Sequence, residues 1–295
     1  MSYSKLQRHE MIAGYLFLLP SFLGFSVFII FPVFFSLFLS FTEWNMISPM
    51  RFVGLQNFIR IFTEDEMFLR VLGNTFRYML LVIPTGLTLA LAWALALNRK
   101  LKGRIIFRSI FFLPVVISFA ASGMVWSWLL NREFGLINYI LGFFNIPLIG
   151  WLVDPQFSML AVVLVTIWQG TGYNMTIILA GLQSIPRHLY EAANIDGANA
   201  WQRLIHVTLP MLSPTIFFLS VIVVIQTFQV FDLVFVMTGG GPVNSTRTFV
   251  QYIFDSGFSH FRMGYASALA WIMFVMLFIF TLVQFKFQKD VVAYN

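Results

Sequence analysis

Charged residues are spaced along this chain so that six stretches of 21 residues or more contain no Asp, Glu, Lys or Arg: 11–42, 78–98, 109–131, 155–186, 204–231 and 263–285. The hydrocarbon core of a bilayer takes about 20 largely apolar residues as one helix. A charge at its centre costs about 2.5–3.5 kcal/mol. Each stretch accommodates one tilted helix and none comfortably holds two. The spacing therefore predicts an all-α polytopic membrane protein, 1–295 forming a single domain with spans at about 13–41, 76–98, 109–130, 157–182, 210–236 and 264–285. Composition agrees: 59% of the 295 residues are hydrophobic and 10% charged, against about 45–50% and about 25% in soluble domains. Thirty-six phenylalanines exceed what one water-facing core of this length can take, so the excess must face lipid.

A seventh uncharged run, 134–153, is interrupted by Gly135, Gly142, Gly150, Pro147, Asn138 and Asn145. Exposed backbone in lipid is expensive, and a short interfacial helix is expected there instead. The first run is about twice the length of a signal-peptide core, contains Pro20 and Pro32, and has no small-residue cleavage site. It is expected to be a retained helix. The remaining segments are too short for a second globular domain.

The distribution of basic residues sets the orientation. With the N terminus inside, the inner side carries Lys5, Arg8, Arg99, Lys100, Lys102, Arg104, Arg108, Arg187, Arg203, Lys286 and Lys289 against Glu10, Glu191, Asp196 and Asp290. The loop 99–108 concentrates five bases in ten residues. Both termini are expected to be cytoplasmic. Arg77 reads as a snorkelling interface charge, and Trp126 and Trp128 as interfacial anchors.

Much chemistry is excluded. With no cysteine there are no disulfides, thiolate metal sites or cysteine nucleophiles. The histidines, at 9, 188, 206 and 260, lack metal-ligand spacing. No P-loop pattern is present, and the net charge of +6 is not gathered into the dense run that nucleic acid requires. Gly239-Gly240-Gly241-Pro242 has no Lys and reads as a helix stop and turn. The Asn-x-Thr matches at Asn174 and Asn244 are weak. No Ser/His/Asp arrangement can be argued, so the chain is not expected to be an enzyme.

The segment 184–210 is the informative hydrophilic one. Pro186 suits a helix start, Ala192 and Ala193 favour helix, and Asp196-Gly197 offers a break where positive φ costs little. Two short helices with a Gly hinge are expected, the second stopping near Pro210. The small Ala face allows another surface to approach closely, with Glu191 beside it as a fixed charge.

Glu191-Ala192-Ala193, Asp196-Gly197-Ala198, Leu209-Pro210 and Pro214 resemble the EAA loop of ABC-importer inner-membrane permeases. FVGLQNF at 52–58, FLP at 112–114, FGLIN at 134–138, LQSIPRHLYEAANIDGA at 182–198 and TGGGP at 238–242 extend the resemblance over nearly the whole chain. They look like the carbohydrate-uptake branch, which includes the maltose and glycerol-3-phosphate importers. The resemblance implies the type I importer permease fold in a bacterial or archaeal inner membrane. It also implies a second six-span permease, a cytoplasmic ABC ATPase dimer that binds ATP and Mg, and an extracytoplasmic solute-binding protein. This chain itself would need no cofactor, and lipid would surround it. Glu191, Ala192, Ala193 and Gly197 would form the ATPase-coupling surface, with Glu191 able to pair with an ATPase arginine and Asp196 placed to cap or brace the hinge. Competing readings are a phosphate-ester importer of the same branch and a self-contained channel or secondary transporter. Against the latter, no internal repeat is visible.

The candidate substrate path lies in spans four and five: Gln169, Gly170, Tyr173, Asn174, Gln226, Thr227, Gln229 and Asp232, beside Trp168. Gln226 and Gln229 share a helix face at i,i+3, and Gln169 and Tyr173 do so at i,i+4. Aromatic faces with amides and hydroxyls suit a sugar, while interhelical packing is the competing role for each residue. In the maltose-importer permease that the chain resembles, the positions of Gly170 and Tyr173 line the sugar site. There Thr227 replaces an amide side chain, and Val223 and Val230 replace polar residues. Asp232 is an acid near the end of span five, and such acids often mark function.

Overall fold

The computed structural model describes residues 5–99 and 102–291. Lys100 lies outside them, and the side chains of Lys5, Arg8, Lys289 and Asp290 are likewise not described. In chain order the elements are α1 (Lys5–Phe25), a π-turn (Ser26–Ile30), α2 (Phe31–Ser40), β1 (Thr42–Glu43), β2 (Arg51–Phe52), α3 (Gln56–Thr63) and α4 (Glu66–Leu97). There follow α5 (Arg104–Val116), α6 (Phe119–Leu129), α7 (Leu136–Gly142), α8 (Pro155–Ser184), α9 (Arg187–Ile195) and α10 (Ala200–Arg203). A second π-turn (Leu204–Thr208) leads into α11 (Leu209–Phe228), then α12 (Asp232–Met237), α13 (Phe249–Phe254), a third π-turn (Asp255–Ser259) and α14 (Met263–Val291).

Among the described residues, five helices are long and apolar enough to cross a membrane: His9–Ser40, Glu66–Leu97, Pro155–Ser184, Ala200–Phe228 and Met263–Gln288. The pair α5 and α6 makes a sixth if it is one broken span, bent by 100°. A single straight helix over 109–130 is therefore not what forms. Pro114 removes a backbone donor in the last turn of α5, Ile117 turns extended, and the Ser118 hydroxyl accepts from the Ala121 N–H to start α6 afresh.

The other boundaries shift for local reasons. The second helix begins at Glu66 rather than 76, because the Asp65 side chain caps it by accepting from the Met67 and Phe68 N–H groups. The fifth does not start afresh beyond Pro210. Ala200–Phe228 is one helix, since a π-turn, closed by Leu209 N–H to the Leu204 carbonyl, absorbs the donor that Pro210 lacks. At its other end the helix stops at Phe228 rather than 236, and Asp232 opens the separate α12. The run 134–153 yields the seven-residue α7, pinned by buried Asn138, which bonds the Arg132 and Ile149 carbonyls and the Trp151 indole.

The described residues fall into two compact units. One comprises the chain to Glu64 with Ile253–Ile272. Within it β1 and β2 pair antiparallel, and buried Asn57 donates to the Ser40 and Thr42 carbonyls at 2.9 Å each. A Cβ on Gly264 would lie 1.8 Å from the Thr42 carbonyl oxygen, so only glycine fits at that approach. Phe17, Phe22 and Phe28 on the first helix are exposed, as the phenylalanine surplus requires of a lipid-facing surface.

The other unit, Asp65–Tyr252 with the chain from Met273, holds the larger core. Here Ala90, Ala94 and Leu97 of α4 pack against Met175, Ile178 and Leu182 of α8 and Leu212 and Leu219 of α11. Small residues four apart on α4 let the helix axes approach, the usual device of membrane helices. A second cluster joins Tyr78 and Val82 to Met159, Val162 and Val163 of α8 and to Leu233 and Val234 of α12. The Trp126 ring meets that of Trp168 edge-on at 5.4 Å, and Trp128 is exposed. The glycine run forms the expected turn, with positive φ at Gly239 and Gly240, fastened by a Thr238–Thr246 hydroxyl pair at 2.7 Å.

Candidate functional site

The broken helix, α8 and the outgoing end of α11 enclose a cavity of about 640 Å³, all of it inside the larger unit. The size falls within the range of about 300–1,000 Å³ typical of small-molecule sites. Non-helical backbone at membrane depth is tolerated only where it is buried in protein or lines a cavity. Residues 117 and 118, where α5 turns into α6, line this one.

Two close approaches set the break in place. A Cβ on Gly172 would fall 2.0 Å from the Phe111 carbonyl oxygen, so α8 carries glycine where α5 crosses it. On the far side of the break, Gly123 of α6 lies against Val236 of α12, where a Cβ would be 3.2 Å from the valine Cγ1. The turn is then tied to α8, because the buried Gln169 donates through Nε2 to the Ile117 carbonyl at 2.6 Å.

All eight candidate path residues line this cavity. Gly170 leaves open space where a side chain would stand, and Tyr173 is partly exposed beside it. Asn174 is buried, while Gln226, Gln229 and Asp232 are exposed to the cavity's surroundings. Thr227 is the exception in chemistry: its hydroxyl is spent on the Val223 and Val224 carbonyls of its own helix. Gln226 and Gln229 do reach the same space, although Gln229 is already the residue that ends α11. Asp232 stands in the first turn of α12, where unpaired N–H groups favour a negative charge. Val223 and Val230 line the cavity as well, making part of the wall apolar.

The sequence reading missed one wall altogether. Tyr78, Val82 and Gly86 of α4 complete the cavity, with the Tyr78 hydroxyl 2.8 Å from that of Thr166. Tyr78 opens the second uncharged run, and a lone hydroxyl at a span's edge gave no reason to place it inside. The break at 117 and 118 was signalled by Pro114 followed by the potential cap Ser118, inside a run otherwise counted as one span.

The second set of candidate residues forms a compact loop. Helix α9 ends in a full Schellman motif: Ala198 N–H reaches the Ala193 carbonyl, Gly197 N–H reaches Asn194, and Gly197 sits at φ +76°. Asn199 and Gln202 then cap α10 reciprocally. Asp196 is the C-cap of α9, its backbone N–H donating to the Ala192 and Asn194 carbonyls, while Asn199 caps the start of α10. The loop is braced by an Arg203–Asn194 hydrogen bond and by the Tyr190 and Thr208 hydroxyls at 3.1 Å. Glu191 and Ala192 are exposed, Ala193 is half-buried, and the large apolar side chains of Ile195 and Trp201 project outward at 87% and 68% exposure. A rigid loop presenting a carboxylate, small residues and unburied apolar groups is suited to docking on protein. No group of three or more His, Cys, Asp or Glu residues that could hold a metal ion is present among the described residues.

Comparison with known proteins gives a consistent picture. Residues 83–292 match the family described as "Binding-protein-dependent transport system inner membrane component". The chain is 39% identical to the probable ABC transporter permease protein YesP of Bacillus subtilis, over 100% of this chain and 96% of that one. It is 34% identical to the trehalose/maltose transport system permease protein MalF of Thermococcus litoralis, covering 97% and 98%. It is 36% identical to the lactose transport system permease protein LacF of Rhizobium radiobacter, covering 98% of each. Among solved structures, a chain of a bacterial alginate ABC transporter, in complex with alginate pentasaccharide-bound periplasmic protein, superposes with a TM-score of 0.85 over 97% of both chains at 24% identity. That likeness concerns the fold.

Proposed function

The chain belongs to the family of binding-protein-dependent transport system inner membrane components, and from that premise we propose that it carries a neutral sugar or oligosaccharide across the cell membrane. It is a multi-pass permease subunit of an ABC transporter and not an enzyme. Its cavity is the solute path, shared with a second six-span permease. An extracytoplasmic binding protein delivers the solute, and a cytoplasmic ABC ATPase dimer supplies ATP and Mg chemistry. In this reading exposed Glu191, Ala192, Ile195 and Trp201 dock on that dimer, and the termini and the 184–210 loop lie on the cytoplasmic side.

The observation that carries this reading is the cavity's lining. An unwound stretch of a membrane helix opens there onto amides, hydroxyls and a tyrosine ring, with Asp232 as the charge. Relatives named for trehalose/maltose and for lactose transport support a sugar. A polyol phosphate fits less well, since the described residues that line the cavity include a carboxylate and no Lys, Arg or His to meet an anion.

The test is purification of the tagged chain from native membranes in mild detergent, with mass spectrometry of what accompanies it, followed by ATP-driven uptake in proteoliposomes. Recovery of a second permease, a P-loop ATPase and a solute-binding protein, with uptake of a neutral sugar, supports the reading. A chain that is stable and transports alone overturns it.

A further inference from the structure

At the end of α8 away from the 184–210 loop, the segment between α6 and α8 joins the tips of two membrane helices and so lies at the membrane surface. With the last turn of α6 it walls another cavity, of about 530 Å³, within the larger unit. The rings of Trp128, Phe134, Tyr139 and Phe143 line it, and all four residues are exposed. Trp and Tyr gather where membrane meets water, so this ring set puts the cavity at headgroup depth. Among the described residues of its wall, Glu133 alone is charged. The polar Asn138 is spent already, on the Arg132 and Ile149 carbonyls and the Trp151 indole. Arg132 and Glu133 are neighbours in the chain and both are exposed, yet they form no ion pair, and neither side chain has a hydrogen-bond partner among the described residues. Their backbone is nevertheless fixed. The Asn131 side chain accepts from the Glu133 and Phe134 N–H groups at 2.9 and 3.3 Å, and the Arg132 carbonyl accepts from Asn138 at 3.0 Å. An ordered turn thus holds a cation and an anion side by side, neither of them neutralised.

We propose that this cavity binds the phosphoethanolamine headgroup of a zwitterionic membrane lipid, with the ammonium at Glu133 among the rings and the phosphate at Arg132. An ammonium over an aromatic face is attracted by the ring's quadrupole, and its N–H groups make charge-assisted hydrogen bonds to a carboxylate. A guanidinium is the matching partner for a phosphate. The acyl chains then follow α6, where Val125 and Met124, one turn back from Trp128, are exposed apolar residues. The pairing of charges selects the occupant. An anionic lipid without the ammonium brings only its phosphate, which Glu133 repels. A lysine from a docked protein answers Glu133 and leaves Arg132 unmet, whereas the zwitterion answers both. The inference does not depend on the sugar-path reading.

The test uses the complete transporter in nanodiscs of equal parts dioleoyl-phosphatidylethanolamine and dioleoyl-phosphatidylglycerol, with its binding protein present. A photoreactive benzoyl-phenylalanine replaces Leu148, an exposed residue of the cavity wall. A second preparation carries it in place of the exposed Phe17 of α1, to report the bulk lipid. Mass spectrometry identifies the adducts. The ratio of ethanolamine to glycerol lipid captured at 148 is expected to exceed that at 17 by about threefold to tenfold. Glu133→Gln removes the carboxylate and should bring the two ratios together. Arg132→Gln removes the partner of a phosphate that both lipids carry, and should lower the total lipid captured at 148. Adducts unchanged in either variant overturn the proposal. Equal ratios at 148 and 17 without any further substitution overturn it too, as does capture of the binding protein at 148 in place of lipid. If Glu133→Gln does not assemble, the unsubstituted cavity is offered N-acetylated ethanolamine lipid, which has lost the ammonium. The excess at 148 is then expected to vanish, and its persistence is equally fatal.

Discussion

Gly172→Ala puts the geometry of the broken helix to the most direct test. The added Cβ would lie 2.0 Å from the Phe111 carbonyl oxygen, 2.7 Å from its carbon and 3.1 Å from the Phe112 Cα. These are backbone atoms, so no side chain can rotate away. Restoring an ordinary contact requires α5 and α8 to separate by about 1.4 Å, and overpacking of this kind costs about 1–3 kcal/mol. The same separation acts on the Gln169–Ile117 hydrogen bond, 2.6 Å long and held by the same two helices. Stretched by that much it exceeds the limit of about 3.5 Å for such a bond. The expected outcome is a lowered melting temperature of the purified complex, by about 2–6 °C, together with loss of most uptake. Gly142→Ala, where a Cβ meets nothing within 4 Å, serves as the neutral control. Gly181→Ala, which presses chiefly on the Thr215 and Leu212 side chains, is expected to fall between the two. A Gly172→Ala complex with wild-type melting and wild-type uptake would show that the α5–α8 crossing does not set the cavity's shape.

Three further outcomes are expected. Glu191→Lys reverses an exposed charge on the loop surface and should abolish solute-stimulated ATPase activity, or release the ATPase during gel filtration, while leaving the fold intact by circular dichroism. Asp232→Asn removes the carboxylate from the cavity and should leave neutral-sugar uptake within about threefold of wild type, while raising uptake of an acidic analogue presented on the same binding protein. Replacing exposed Phe218 and half-buried Ser220 by glycine softens α11 between loop and cavity without changing its register. At about 1 kcal/mol per glycine in a helix interior, the protein should still fold, yet ATP hydrolysis should no longer drive uptake.

Bilayer thickness made the helix positions legible, because it imposes a minimum length that charge spacing reports. Direction inside a run is not reported by that ruler. Residues 109–131 could be counted as one span while Pro114 and Ser118 divided them into two helices at 100°. Pro210 misled in the opposite sense: proline at the second position of a helix ends nothing when a π-turn precedes it. The loop was the most readable part, since Gly197 sits at a positive φ that the sequence pattern already suggested. The cavity was half readable. Gln226, Gln229 and Asp232 announce themselves as polar residues in an apolar stretch, but Tyr78 comes from a helix far away in sequence and only packing brings it to Thr166.

The continuity of Ala200–Phe228 has a mechanical consequence. At 1.5 Å per residue a helix of this length spans about 43 Å, enough to run from the 184–210 loop to the cavity. Had the chain stopped and restarted at Pro210, a joint would lie between them and displacement of the loop would be absorbed locally. The π-turn avoids that, and the Tyr190–Thr208 contact fastens α9 to the same turn. Leu189 and Tyr190 also pack against the cluster formed by α4, α8 and α11. A push on the loop is therefore delivered to the base of α11 and to its neighbours together. At the opposite end of α11, Gln226 and Gln229 border the cavity, and across it α8 holds the broken helix through Gln169. A rigid rod whose far end forms one wall of the cavity alters its shape whenever the near end tilts. That is a sufficient physical basis for a chain without a nucleotide site of its own to be worked by one that has it.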